Sequence, residues 1–210
     1  MKYFSVVFLF MLLSCVNKED ILLPKSNVTI VSDVLDHSPI YMFFRIKGKD
    51  TLAEVNRKNS IISTNWILNI DKRLPLRLVI PQVMKLQEKK RNEVAHKNEL
   101  AENYYSYADS IGKNMAFLPF TKVFYKMGKP RDKVLVFHFQ KGSDNVFLRG
   151  SKVKKNDLIK TFYSVKYEVI PHVAFLFDKN MSYEEYLQTK ILLGNFKAYA
   201  VDDFPLEFID

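Results

Sequence analysis

A single cysteine in 210 residues leaves no internal disulfide to stabilise a fold. Six glycines are too few for a glycine-rich loop protein, and the sequence has neither a phosphate-loop glycine pattern nor a G-x-S-x-G nucleophile elbow. The four histidines, His37, His96, His138 and His172, are scattered, with no i,i+4 pair and no cysteine partner, so local spacing writes no metal site. No metal and no cofactor is expected, and no catalytic constellation stands out. What is present argues for a folded chain. Hydrophobic residues make up 48% and aromatics 14%, too much for disorder, and the length allows one large domain or two small ones.

Met1 and Lys2 give a short positive start, and residues 3–13 form an almost unbroken apolar run, signal-peptide length and too short to cross a bilayer core of about 30 Å. The run ends in Leu12-Leu13-Ser14-Cys15, which resembles the lipobox of bacterial lipoproteins. The resemblance implies cleavage after Ser14, a thioether-linked diacylglycerol on the Cys15 thiol, and a mature chain tethered to a membrane without spanning it. Val16-Asn17-Lys18-Glu19-Asp20 follows. This lysine with two acids beside the anchor is similar to the signal that exports some lipoproteins to the outer face of the outer membrane, the other reading being a solvated tether. Residues 1–14 are expected as a signal peptide and 15–27 as a lipidated tether.

Residues 28–112 are expected as an α+β half. Strands fall near residues 40–46, 51–55 and 66–70, and Asp71-Lys72 then leads into a helix at Pro75, with Leu76, Val79, Ile80, Val83 and Leu86 at helical spacing. Residues 87–111, densely charged and then striped by Val94, Leu100, Tyr104, Ala108 and Ile111, predict a long polar helix stopped by Gly112. Residues 113–130, with Pro119, Gly128 and Pro130, read as a connector of ordered loop or short strand.

Residues 131–210 predict β-β-α-β-α-β. Strands are expected at 133–139, 145–148, 172–177 and 196–201, with one helix opening at 155–157 and a second at Ser182, where Ser182 and Glu185 form an S-x-x-E capping box. An acidic end carries Asp202, Asp203, Glu207 and Asp210. The fold class is α+β, a small mixed sheet with helices on one face. The run from Ala174 to Tyr183, with Asp178-Lys179 closing its strand, resembles the periplasmic domain of the biopolymer-transport proteins ExbD and TolR. Residues 66–76 align with that run, Asp71 on Asp178, Lys72 on Lys179, Leu74 on Met181 and Leu76 on Tyr183. Two similar β-β-(α)-β-α units in tandem are one reading, and chance similarity of two strand-to-helix turns is the other. The family's members carry a transmembrane helix with an acid used for proton flow, whereas residues 1–14 hold neither Asp nor Glu. The resemblance therefore implies the fold without the motor.

Asp71 and Asp178 could be offered as a catalytic pair, but an Asp at a strand-to-helix turn ordinarily accepts turn N–H groups. The net charge of +9 gathers in two tracts, Lys113 to Lys133 and Arg149 to Lys160. Outside the inner membrane these exclude nucleic acid as a partner and leave lipid phosphates, cell-wall polymers or solvent. The function expected is a non-enzymatic binding module on the cell envelope, its partners the membrane, another envelope protein, a cell-wall polymer or a second copy. The alternatives are a structural envelope lipoprotein of an unrelated α+β family and an envelope hydrolase.

Overall fold

The computed structural model describes residues 20–95, 97–130, 134–148, 150–165, 172–194 and 206–210. Cys15, the signal segment, His96, Arg131, Lys133, Arg149 and the strand expected at 196–201 lie outside these residues. The architecture is α+β. In chain order the elements are β1 (Lys25–Ser26), β2 (His37–Lys47), β3 (Asp50–Asn56), β4 (Asn65–Ile70), α1 (Leu76–Asn92), β5 (Asn103–Asp109), β6 (Asn114–Pro119) and β7 (Phe124–Met127). They continue with β8 (Leu135–Phe139), β9 (Asn145–Leu148), β10 (Ser151–Lys154), a 3₁₀ turn (Lys155–Asp157), α2 (Leu158–Ser164), β11 (Val173–Phe177), α3 (Tyr183–Leu192) and β12 (Leu206–Ile209).

These strands form two mixed six-stranded sheets. The first runs β3-β2-β4-β5-β1, with β6 also on β5, and the second runs β10-β9-β8-β11-β12-β7. Five strands of each share one plan. A hairpin (β2/β3, β8/β9) is followed by a strand parallel to its first member (β4, β11), then by a helix, then by a further parallel strand (β5, β12) flanked by an earlier parallel one (β1, β7). The parallel crossovers from β4 to β5 and from β11 to β12 carry the helices α1 and α3, the usual connection between parallel strands. The second half adds β10, the 3₁₀ turn and α2 between its hairpin and β11, while residues 57–64 of the first half hold no helix.

The core is continuous across both halves. Ile40, Met42, Trp66, Leu68 and Ile70 of the first sheet meet Val79, Ile80 and Val83 of α1, and the same cluster includes Phe137, Phe139, Phe177 and Leu187 of the second half. Each such buried side chain contributes about 1.5–3 kcal/mol of transfer free energy. The opposite face of the first sheet is covered by the segment before β2, where Val31 and Val34 pack on Ile67 and Phe117.

Three expectations need correction. The long polar helix does not reach residue 111, because α1 ends at Asn92 and residues 103–109 form β5. Tyr105 and Tyr107 fill the core while Ser106 is buried on the other side, so the strand is enclosed on both faces and shows no alternation to the eye. Val94, Leu100 and Ile111, taken as helix stripe, are 90%, 87% and 73% exposed on loops. The connector also resolves further: β6 pairs with β5 and β7 with β12, so the passage between halves is the turn at 120–123. Of the acidic end, Asp202 and Asp203 lie outside the described residues, and Glu207 does not follow the last strand. It lies within β12, fully buried.

Candidate functional site

Each Asp-Lys junction ends a central parallel strand. The Asp71 N–H donates to Met42 O at the point where β2 passes β4, and the Asp178 N–H donates to Phe139 O at the corresponding point of β8 and β11. The Leu74 N–H closes back onto Asp71 O and the Met181 N–H onto Asp178 O. Both carboxylates then accept N–H groups of their own turns, Asp71 from Arg73 at 3.1 Å and Asp178 from Asn180 at 2.8 Å. Asp71 also takes a two-pronged donation from the Arg73 guanidinium at 2.8 and 2.7 Å, and the Leu22 N–H at 3.3 Å. Burial alone would raise its carboxyl, but these donors hold it below the usual carboxylate value.

The two junctions also pair with each other. Leu76 N–H donates to Met181 O at 3.0 Å and Tyr183 N–H to Leu74 O at 2.8 Å, around a bridge between Pro75 and Ser182. One step out, Arg77 N–H donates to Lys179 O at 2.8 Å and Glu184 N–H to Lys72 O at 3.1 Å. Because Leu74 corresponds to Met181 and Leu76 to Tyr183, every one of these bonds is matched by its counterpart, the pattern of a two-fold interface held inside one chain. Lys72 and Glu184 add an ion pair across it at 3.2 Å. Ser182 caps α3 by accepting the Glu185 N–H, as its capping-box spacing predicts. The Glu185 carboxylate serves a different partner, taking the Gly142 N–H at 3.0 Å and Lys155 at 3.3 Å.

Behind this seam runs a buried chain of hydroxyls. Tyr105 Oη lies 2.8 Å from Tyr125 Oη, Tyr125 Oη lies 3.1 Å from Tyr186 Oη, and Tyr186 donates to Glu207 at 2.7 Å. The other carboxylate oxygen of Glu207 takes Lys190. A carboxylate only accepts, so the chain has one direction, each phenol donating toward Glu207. Burial pushes the phenols of Tyr105, Tyr125, Tyr183 and Tyr186 well above the usual tyrosine value, which keeps all four as donors. The chain crosses the molecule from β5 through β7 and α3 to β12. Among the described residues, Tyr183 Oη is buried without a hydrogen-bond partner.

Beside Lys190 opens a groove of about 1110 Å³, between the segment around β1, the 120–123 turn and the end of α3. Its lining mixes Lys25, Lys122 and Lys190 with Ile30, Phe120 and Leu193, and Glu102 is its one acid among the described residues. Ile30 and Val28 reach this region on a strap whose backbone is bound to Tyr107 Oη. No family model, curated protein or solved structure matches this chain.

His37 Nδ1 lies 2.7 Å from Val34 O, His138 packs near the Phe147 ring, and His172 is exposed. No cluster of three metal-ligating side chains forms among the described residues, nor is any helix among them long and apolar enough to cross a membrane. The basic tracts do not converge on one site. Lys129 pairs with Asp210, Lys155 with Glu185, Lys126 lies over the Phe208 ring, and Lys122 alone of these enters the groove. The hydroxyl chain, running from Tyr105 to Glu207, and the groove, lined from Lys25 to Gly194, were not readable as a site, since their parts come from distant elements that share no local motif.

Proposed function

We propose that this chain is a lipid-anchored protein of the bacterial cell envelope, held in the membrane through Cys15 and working as a non-enzymatic binding module. The observation that carries the reading is the groove of about 1110 Å³ beside Lys190, where Lys25 and Lys122 stand against Glu102 while Lys190 is held by Glu207, a lining that suits an extended, acidic and partly apolar ligand. A peptide segment of another envelope protein has that chemistry. The groove is slightly larger than the roughly 300–1,000 Å³ usual for small-molecule sites. The shared strand plan of the two halves and the matched bonds between their junctions also support descent from one duplicated unit of the kind found in ExbD and TolR, here paired with itself.

The test is site-specific photocrosslinking in intact cells. A photoreactive residue replacing Lys122, on the groove, is expected to yield one identifiable adduct with an acidic segment of a second envelope protein. The same residue replacing Lys152, on β10, is expected to yield none. Equal adducts from both positions, or none from either, would remove the groove as the binding surface. Cys15→Ala is expected to release the protein from the membrane fraction, and retention there would sink the anchor.

A further inference from the structure

The β2–β3 hairpin outruns its sheet. β4 accompanies β2 only as far as Met42, and beyond it Phe43 to Lys47 pair with β3 alone, down to Lys47 opposite Asp50. Five residues at about 3.3 Å each carry the ribbon roughly 17 Å past the junction. The turn at its tip uses Gly48 at φ 63°, a conformation that suits glycine. The tip is apolar where a free hairpin should be polar: Ile46 is 71% and Leu52 43% exposed, with Lys47 and Lys49 exposed beside them. Arg45, one residue earlier, is bound to Glu54. In the pairing register Ile46 stands opposite Thr51 and Leu52 opposite Arg45, so the two apolar side chains leave opposite faces of the ribbon and only a tip-first approach buries both.

The chain from the anchor arrives at the same end of the sheet. Leu22 is bound there twice, its N–H to the Asp71 carboxylate and its carbonyl to the Lys72 N–H. Six residues lie between Cys15 and Leu22, and the seven steps along the chain reach at most about 25 Å. A lipid on Cys15 therefore holds the base of the hairpin within about 25 Å of the bilayer, while the ribbon projects roughly 17 Å from that base. Leu100, 87% exposed, lies at the other end of the sheet, two residues before Glu102 whose carbonyl takes the Trp66 N–H at the start of β4. Exposed apolar side chains thus occur at both ends, but lysines and tether coincide at one.

On the anchor reading just given, we infer that the hairpin tip is a second membrane contact. Ile46 and Leu52 enter the headgroup region of an anionic bilayer, and Lys47 and Lys49 meet lipid phosphates, with Asp50 the one acid of the turn. Partial burial of two aliphatic side chains plus two lysines at an anionic surface is the composition of interfacial binding, and a lipid chain with such a patch holds far more firmly than either signal alone. The docked tip would fix the module's orientation, with the β4 and β11 ends toward the membrane.

The test uses the mature lipidated protein in vesicles of phosphatidylethanolamine and phosphatidylglycerol. Lipidation consumes the native thiol, so Ile46→Cys and Leu100→Cys each carry one fluorophore. The label at position 46 is expected to be shielded from aqueous iodide and quenched by a headgroup quencher, the label at 100 to stay open to iodide. Lys47→Gln with Lys49→Gln is expected to lower the docked-to-undocked ratio on the order of thirtyfold, with the thermal melt unchanged. Equal iodide access at both labels would overturn the contact. So would shielding that persists in vesicles of neutral lipid or grows with protein density, the mark of a second copy on the tip. The mass of the Cys15 peptide separates the two claims: no diacylglycerol there overturns anchor and contact together, while a lipidated Cys15 with an unshielded position 46 overturns the contact alone.

Discussion

Taking Asp71 and Asp178 as the common origin, the two halves place different chemistry on the same backbone plan. Where α1 buries Leu76 and Val79, α3 buries Tyr183 and Tyr186. Where the first sheet uses Met42 and Ile70, the second uses Phe139 and Phe177, stacked at 4.8 Å. Tyr105 stands opposite Leu68 and Glu207 opposite Phe175, at corresponding positions, and these two residues are the ends of the buried hydroxyl chain. The lesson is that the plan constrains backbone pairing, not side-chain size or polarity. Once α3 carries phenols, Tyr186 finds partners in Tyr125 and Glu207 of its own half, and Tyr105 of the other half joins the chain through Tyr125.

The sharpest way to break that comparison is Glu207→Ala. It leaves Lys190 with 13% side-chain exposure and no counter-charge, and it removes the acceptor that orients the whole chain of phenols. Removing one member of a buried ion pair costs about 3–5 kcal/mol, so the urea midpoint should fall steeply. Glu207→Gln keeps an acceptor for Tyr186 and should fall less. Loss of less than about 1 kcal/mol in Glu207→Ala would mean that water already serves Lys190 and Tyr186, and that the halves are not joined through this chain.

A finer test sets two neighbours on α3 against each other. Tyr186 sits between two partners, whereas Tyr183 Oη has none among the described residues. Tyr186→Phe strands the Glu207 oxygen and the Tyr125 O–H donor and should cost about 1–3 kcal/mol, while Tyr183→Phe removes an unsatisfied buried hydroxyl and should be neutral or stabilising. Equal losses in denaturant melts would show that Tyr183 has a bound water and that both hydroxyls belong to one network.

Strand-to-helix turns were the legible part of this molecule. An acid ending an apolar strand, a turn, then apolar residues at helical spacing locate Asp71 with α1 and Asp178 with α3, and Ser182 marks its own helix start, because each signal lies within about a dozen residues. The correspondence of the two junctions was readable by alignment, but their pairing was not: the bonds join residues about 107 positions apart through backbone groups that every residue owns. β5 was misread for a related reason. Asn-Tyr-Tyr-Ser-Tyr-Ala-Asp buries side chains on both faces, so it has no period of two, and charged residues before it extended the helical pattern too far. Lys90 shows the same limit from the other side. Its place in a charged run predicts solvent, yet long-range packing closes over it.

That lysine gives the smallest predicted effect and the cleanest contrast between the halves. The second half buries its cation, Lys190, on a carboxylate. The first buries Lys90 on neutral oxygens, Thr64 O, Glu102 O and Asn103 Oδ1, all within 3.1 Å, and beside the Trp66 ring. Desolvation therefore lowers the Lys90 value from 10.5 to about 8, with only a distant pull upward from Glu102. The unfolded chain then binds more protons than the folded one between these values, so stability rises with pH through that window. Ionisation of the buried tyrosines opposes it from about pH 10 upward, because the unfolded phenols release protons that the folded ones keep. Between about pH 8 and about pH 9 the net rise should be about 1 kcal/mol in denaturant melts. Lys90→Met removes the titrating group and should abolish the rise, at the expense of stranding three acceptors. A flat wild-type profile would mean that the three oxygens solvate the ammonium as well as water does, and the two halves would then hold their buried cations at equal cost.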